Sequence, residues 1–230
     1  MPSNSQSVTR MHFVSAHFGG KPPWFHNPWS KSIKVSNAYY TDKNMPSRHN
    51  VMHPRLKAKI PKMLEWQFIE SDWYVWLDSS VKLKNVDVPQ KILDCADGKK
   101  MCFFKHSASS SIRIEALQVR LMLEAKDDYI CTRYKGEPIL EQVIHYHGDP
   151  KFKDDFLLAG TFFAYHKSMA PVLLDWFNHN VTWSIQDQLS LPYVLQKNNV
   201  DFAIIPGHVG GIGEHENEIL DWHWRERDEC

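Results

Sequence analysis

The sequence predicts one α/β domain built on a mainly parallel sheet. Three observations carry this expectation. Short apolar runs rich in β-branched and aromatic residues recur along the chain and alternate with segments of helical period. One of them, Trp73-Tyr74-Val75-Trp76-Leu77, is apolar without alternation, the pattern of a strand buried on both faces. A chain of 230 residues that is 43% hydrophobic, with nine Trp and twelve Phe, can also bury a large core.

The elements follow in order. Residues 1–9 are polar and read as a flexible start to a single domain spanning 10–230. Residues 11–16 form a first strand, which runs into His17-Phe18-Gly19-Gly20-Lys21-Pro22-Pro23. Such a Gly/Pro-rich loop can bring backbone N–H groups near a phosphate or a base. It has neither the GxGxxG nor the GxxxxGK[ST] spacing, so the ordinary dinucleotide fold and the P-loop are not supported. Residues 33–40 read as a second strand ending at Thr41-Asp42. Over 55–64 a helix would put Arg55, Lys59 and Lys62 on one face and Leu56, Ile60 and Met63 on an adjacent one. Pro61 costs about 3 kcal/mol inside a helix, so a kink or a fresh helix start is expected there. On periodicity alone the basic face is a solvated one.

After the 73–77 strand comes a polar connection through Asp87-Val88-Pro89. Met101-Cys102-Phe103-Phe104 is a further short strand, and the Ser-rich turn 107–111 offers an N-cap to a helix over 112–126. A second helix is expected over 137–145. Residues 156–165 read as a strand broken at Gly160, where a glycine marks a bulge or a close approach of backbone to a ligand. Helices are expected over 169–177 and 186–196, the second carrying Asp187. Residues 200–205 are the last strand, followed by Pro206-Gly207-His208-Val209-Gly210-Gly211 as a loop. The tail from 215 to 230 has Trp222 and Trp224 available to pack back.

Composition excludes several classes. Lys+Arg and Asp+Glu balance at 27 each, so no strong overall field draws the chain to nucleic acid or an anionic membrane. Cys95, Cys102, Cys131 and Cys230 are scattered without CxxC or zinc-finger spacing, which fits a reducing compartment rather than a disulfide framework. There is no basic-then-apolar leader and no apolar run of the roughly 18 residues a membrane span needs. A soluble cytoplasmic protein is the expectation.

Chemistry is expected at the carboxyl ends of the strands, where open α/β sheets bind ligands. Asp78, followed by Ser79 and Ser80, ends the 73–77 strand, His208 follows the last strand, and Gly19 and Gly20 follow the first. These three groups can converge at one edge. Asp oxygen with His nitrogen is a partial shell for Mn²⁺ or Mg²⁺, the remainder coming from water and phosphate oxygens. The plainer reading is that Asp78 caps the next turn. Thirteen histidines make His53, His106 and His208 individually unremarkable. No HExxH and no GxSxG occurs, which argues against a zinc protease and an α/β-hydrolase.

Lys59-Ile60-Pro61-Lys62-Met63-Leu64, then Tyr74-Val75-Trp76-Leu77-Asp78, then the stretch from Ser184 to Leu195 occur in that order. Together they resemble a glycosyltransferase-like family of plants and bacteria, long carried as a domain of unknown function. Its pattern is similar to AKxPKxLPH, YxxWxDG and RDQLSFPYVL, and the resemblance covers roughly residues 35–207. The last motif is the most specific; here it departs at Gln186 and Leu191. Phe104-Lys105-His106 with Arg113 and Glu115 is more loosely similar to the family's F-x-H…R…E-E-A segment.

The resemblance implies a GT-A-like, Rossmann-type sheet that binds a nucleotide-sugar, with a uridine diphosphate sugar as the expected donor. It puts Asp78 at the position of a DXD-type motif, as metal ligand and catalytic group. Ser79-Ser80 replaces the usual ending, and Gln186 stands where the family has Arg. The expected donor-binding residues are Gly19, Gly20, Lys59, Lys62, Asp78, Ser80 and Gly160. Asp78 and His208 would hold Mn²⁺ or Mg²⁺, and Asp187 would bind sugar hydroxyls or take the proton of the acceptor hydroxyl. The acceptor would be a polysaccharide, protein, small molecule or modified nucleic-acid base, and the enzyme bacterial or viral. Trp24, Trp29 and Trp183 are candidates for stacking on sugar or base, with core packing as the plainer role. Two other classes stay open. A carbohydrate- or nucleotide-binding module that has lost catalysis would explain the incomplete DXD motif. A metal-dependent phosphohydrolase would need more converging carboxylates than the sequence places.

Overall fold

A computed structural model describes residues 8–19, 26–209 and 217–222. Expectations that fall on residues 1–7, Gly20, Trp24, Gly210, Gly211 and Trp224 lie outside them. The chain folds as a mixed α/β structure of Rossmann-like type. Six strands form the central sheet: β1 (Arg10–Ala16), β2 (Lys34–Tyr40), β3 (Trp73–Leu77), β5 (Met101–His106), β6 (Leu158–His166) and β7 (Ala203–Val209). Two short strands, β4 (Val81–Leu83) and β8 (Leu220–Trp222), pair antiparallel beside it. The sheet order is β2-β1-β3-β6-β5-β7, with every strand parallel except β6, which runs against both its neighbours. The sheet is mainly parallel, as its sequence pattern predicts. All five residues of β3 are buried, the consequence of a strand covered on both faces.

Seven α-helices cover the sheet among the described residues: α1 (Pro54–Leu64), α2 (Val88–Ala96), α3 (Ile112–Glu124), α4 (Asp128–Tyr134), α5 (Ile139–His147), α6 (Ala170–Thr182) and α7 (Asp187–Lys197). One face carries Met11, Phe13, Val75, Leu77 and Phe104 beneath α2 and the β4–β8 pair. The other carries Val14, Trp76, Phe103 and Phe163 beneath α1, α6 and α7. A third cluster joins α3, α4 and α5 to Leu189 of α7. None of the described helices is long and apolar enough to cross a membrane. Cys95, Cys102 and Cys131 are free thiols.

Five local expectations need correction. α1 runs unbroken through Pro61 instead of restarting there, because Lys57 and every residue from Lys59 to Leu64 is buried. That packing offsets the missing hydrogen bond of the proline. For the same reason the basic face of α1 is not solvated. β6 continues through Gly160, although the ladder between β5 and β6 changes register beside Phe104, the bulge that the glycine signals. His208 lies within β7, opposite Lys105 of β5, rather than in a loop beyond it. The polar connection after β3 holds β4 and α2, whose first turn has Pro89 where its missing N–H costs nothing.

α2 begins at Asp87, whose carboxylate accepts from the Gln90 amide at 3.2 Å and from the Lys31 amide and Ser30 hydroxyl, both at 3.1 Å. The cap therefore also pins the segment leading into β2. Asp87→Ala is expected to cost about 1–2 kcal/mol, the upper part of the range for a lost N-cap, measured by urea denaturation. An unchanged midpoint would show that the cap is not needed.

Candidate functional site

The carboxyl edge of β3 carries a cluster of charges built from three elements. Asp187 opens α7, where a carboxylate is favoured by the helix dipole. The loop before it is held at three points. Ser184 Oγ donates to Gln142 Oε1 at 2.5 Å, the Ile185 amide donates to Glu137 Oε2 at 2.9 Å, and Gln186 Nε2 donates to Glu115 Oε1 at 2.9 Å. The Asp187 carbonyl accepts from Trp176 Nε1 at 3.0 Å and Ser190 Oγ at 3.1 Å. The main chain at Asp187 therefore cannot drift, and its side chain meets α1 in a fixed place.

From α1, Lys59 Nζ approaches Asp187 Oδ2 to 2.8 Å and Lys62 Nζ to 2.5 Å. All three side chains are close to fully buried, at 11%, 5% and 10% exposure. Lys62 also reaches Asp78 Oδ1 at 3.8 Å and sits over the rings of Trp76, Phe163 and Trp176 at 5.4 to 6.0 Å. Trp76 Nε1 donates to Asp78 Oδ1 at 2.7 Å. A side chain at Gly160 would place its Cβ 3.2 Å from Asp187 Oδ1 and 3.4 Å from Lys62 Nζ. Glycine is thus the residue that lets β6 pass under the pair.

Electrostatics separates the four groups. Burial pushes the Asp187 carboxyl up, but Lys59 and Lys62 together hold it far below the usual carboxylate range. Burial pulls Lys62 down, and Asp187 with Asp78 outweighs that and raises it. Lys59 has less compensation beside a second ammonium, and burial brings it down to about 8. Asp78 is different: its side chain is 40% exposed.

Lys59, Lys62, Asp78, Gly160 and Asp187, all expected from sequence, thus come together. Ser80 lies in the turn after β3, next to Ser79, whose hydroxyl is 3.0 Å from His17 Nδ1. Gly19, at φ 86°, donates its amide to Asp42 Oδ2 at 2.8 Å, and Asp42 in turn meets Lys57 of α1. His208 is not brought to Asp78. β7 is separated from β3 by two intervening strands, on the order of 14 Å at about 4.8 Å per spacing. His53 caps α1 and His106 accepts from the Ser109 amide, so both have structural work. Trp29 donates to Asn85 and Trp183 stacks on His145.

Sequence reasoning missed Trp76, which orients Asp78, together with Tyr134 and Arg133 of α4, which lie near the cluster. Alternation along β3 puts Trp76 and Asp78 on one face and was the available signal for the first. Nothing local marks α4.

The residues present do not fit a divalent cation. Asp78 Oδ1 is engaged by Trp76, Asp187 is held by two ammonium groups, and His208 is remote. Among the described residues no three His, Cys, Asp or Glu side chains are grouped to hold a metal.

The opposite face of the sheet has a cavity of about 330 Å³, lined by Phe13, Ser15, His26, Asn37, Tyr39 and Leu77 among others. Ser15 Oγ and His26 Nε2 are buried there without a hydrogen-bond partner. Burial lowers the His26 pKa to about 4. The unfolded chain takes up this proton near pH 6.5, whereas the folded one resists until about pH 4. Acidification between those values therefore favours unfolding.

Two outcomes follow. His26→Gln should remove roughly 2 kcal/mol of the stability that the wild type loses between pH 7 and pH 5; parallel losses in the two proteins would contradict the assignment. Asp187→Asn leaves two buried ammonium groups with only the more distant Asp78 to offset them and should cost about 3–5 kcal/mol. Asp78→Asn, at an exposed position, should cost less than about 1 kcal/mol. Denaturant titration of the two variants compares them, and equal losses would deny Asp187 its central place.

No family model and no curated protein matches the chain. Among solved structures it is similar to a crystal structure of a glycosyltransferase involved in the glycosylation of the major capsid of PBCV-1. That likeness has a TM-score of 0.43 and 11% identity over 85% of this chain and 79% of the other.

Proposed function

We propose that this chain transfers a glycosyl group from a nucleoside diphosphate sugar to a hydroxyl acceptor. The observation that carries the reading is the Lys59–Asp187–Lys62 cluster beside an exposed Asp78 at the carboxyl edge of a mainly parallel sheet. In such sheets this edge is where nucleotides bind. Fixed ammonium groups in a desolvated site are suited to a leaving group that gains negative charge. The resemblance of the segments carrying these residues to a glycosyltransferase-like family points the same way.

In this reading the bond between the anomeric carbon and the β-phosphate oxygen breaks, and its electron pair leaves with the diphosphate. The acceptor oxygen forms the new bond to the anomeric carbon and loses its proton. A base works best when its pKa lies near the working pH. Asp187 is held too far below that range by its two lysines. The proton is assigned to Asp78, the carboxylate of the cluster that is 40% exposed and open to an acceptor, and Asp187 becomes the group that positions Lys59 and Lys62. Lys59, at about 8, keeps most of its charge at neutral pH.

One observation favours a second reading, a nucleotide-sugar-binding module without turnover: Lys59 and Lys62 are already met by carboxylates, as in a purely structural network. A single experiment separates the two. The chain is screened by thermal shift against uridine, guanosine, adenosine and cytidine diphosphate sugars, and the donor that binds is assayed for release of its nucleoside diphosphate. Binding raises the melting temperature by mass action. Transfer is expected, with Asp78→Asn lowering the turnover rate roughly hundredfold while the donor still binds. Binding without release on any acceptor gives the module. No shift with any nucleotide-sugar rejects both, and steady phosphate release from simple esters would then support a phosphohydrolase.

A further inference from the structure

A second cluster of reactive groups lies on the β1–β2 side of the sheet. His12 of β1 is paired in register with Ser36 of β2 on one side and Tyr74 of β3 on the other. Tyr74 is four residues before Asp78, on the order of 13 Å along the chain. The His12 imidazole is only 3% exposed. Its Nε2 lies 3.0 Å from Glu65 Oε1 and its Nδ1 lies 2.8 Å from Ser36 Oγ. Glu65, just after α1, is fully buried, and Tyr40 of β2 donates its hydroxyl to the same carboxylate oxygen at 3.0 Å. Ser36, by contrast, is exposed.

These contacts fix the direction of each hydrogen bond. An ionised carboxylate only accepts, so the imidazole proton is on Nε2 and is donated to Glu65. Nδ1 is then the acceptor, and the Ser36 hydroxyl donates to it. A serine is thus set against a base, and the base is oriented by a carboxylate. This arrangement activates a serine oxygen on unrelated folds. The His12–Glu65 contact alone would tie the end of α1 to the sheet. Such a tie does not need Ser36, and Ser36 is the member of the cluster that a substrate can reach.

The backbone beside Ser36 supplies a third part. The Lys34 amide donates to the Thr9 carbonyl at 3.0 Å, and the Tyr40 carbonyl accepts from the His17 amide at 2.8 Å. Even-numbered residues of β2 therefore turn their backbone groups towards β1. Alternation turns the Asn37 N–H outward, on the side where no described strand pairs with β2. The amide that follows a nucleophilic serine is a common donor to a tetrahedral oxyanion.

We propose that Ser36, His12 and Glu65 form a second active centre, one that hydrolyses acyl esters at the β2 edge of the sheet. Ser36 Oγ bonds to the ester carbonyl carbon as its proton passes to His12 Nδ1, and the Asn37 amide donates to the oxyanion. The bond from that carbon to the alcohol oxygen then breaks, and the alcohol leaves with the proton. Water adds to the acyl-serine by the same route. Its proton passes through Nδ1 to Ser36 Oγ as the carboxylic acid departs. Glu65 positions the imidazole and touches no substrate. The centre is independent of the glycosyl-transfer reading.

The test labels the full chain with a fluorophosphonate, which captures activated serines and passes over ordinary ones, and maps the modified peptide by mass spectrometry. Label is expected on Ser36, with steady release of nitrophenol from p-nitrophenyl acetate. Ser36→Ala should abolish both, and heat-denatured chain should take no label. His12→Gln should slow labelling roughly hundredfold, the low end of what a positioned base contributes. Glu65→Gln, which no longer fixes the proton on Nε2, should slow it as well in a chain that still melts cooperatively. Both of these positions are buried, so Ser36→Thr keeps the test decisive if neither variant folds. It retains a hydroxyl for Nδ1, and with it the wild-type melting temperature, but labels more slowly at its hindered oxygen. A wild-type chain that takes no label, label on another residue, or release that stops at one equivalent overturns the proposal. So does labelling at the wild-type rate in any of the folded variants.

Discussion

Burying a carboxylate between two ammonium groups costs several kcal/mol of desolvation per ion, and only close mutual contact repays it. The chain meets this constraint at Lys59, Asp187 and Lys62, and much of the fold around them follows. α1 must reach the cluster at full length, so it carries Pro61 within a buried stretch. β6 must pass beneath without a side chain, so it has Gly160. The loop before α7 must not move, so Gln142, Glu137 and Glu115 each hold one of its residues. Three charges of which two are positive still leave a surplus, and Asp78 answers it from the edge of β3.

The sheet was legible because β-branched and aromatic runs ended by polar or glycine-rich loops have few other solutions. The registers were not, since a strand's length and direction depend on partners far away in sequence. β7 shows this: Pro206 and Gly207 look like a loop, yet pairing with β5 carries the strand on to Val209. Removing His208 from the loop also removes it from Asp78. For the site, Lys59, Lys62, Asp78 and Asp187 could be named from motifs, but their roles could not. A lysine face on a helix reads as solvated until α6 and α7 are seen to cover it. Likewise Asp187 reads as a base until two lysines are found on one of its oxygens.

Gln186 shows how a loop can be anchored without an ion pair. Its uncharged amide donates to Glu115, which also takes the Ser109 hydroxyl at 2.7 Å. The carboxylate keeps two neutral donors, and the loop before α7 is held by hydrogen bonds alone at this point.

The antiparallel strand has a consequence for the order of assembly. In the order of the described strands, β6 is the one that joins the half-sheet β2-β1-β3 to the half-sheet β5-β7. It is made after α3, α4 and α5, so a chain emerging from the ribosome holds Trp73–Leu77 and Met101–His106 as open edges until residue 166 is out. Both edges are among the most apolar stretches in the protein, and unpaired apolar edges are templates for aggregation. Closure of the sheet also sets Gly160 where Asp187 of α7, made later, comes to meet it, so the step that protects the nascent chain prepares the ground for the charged cluster.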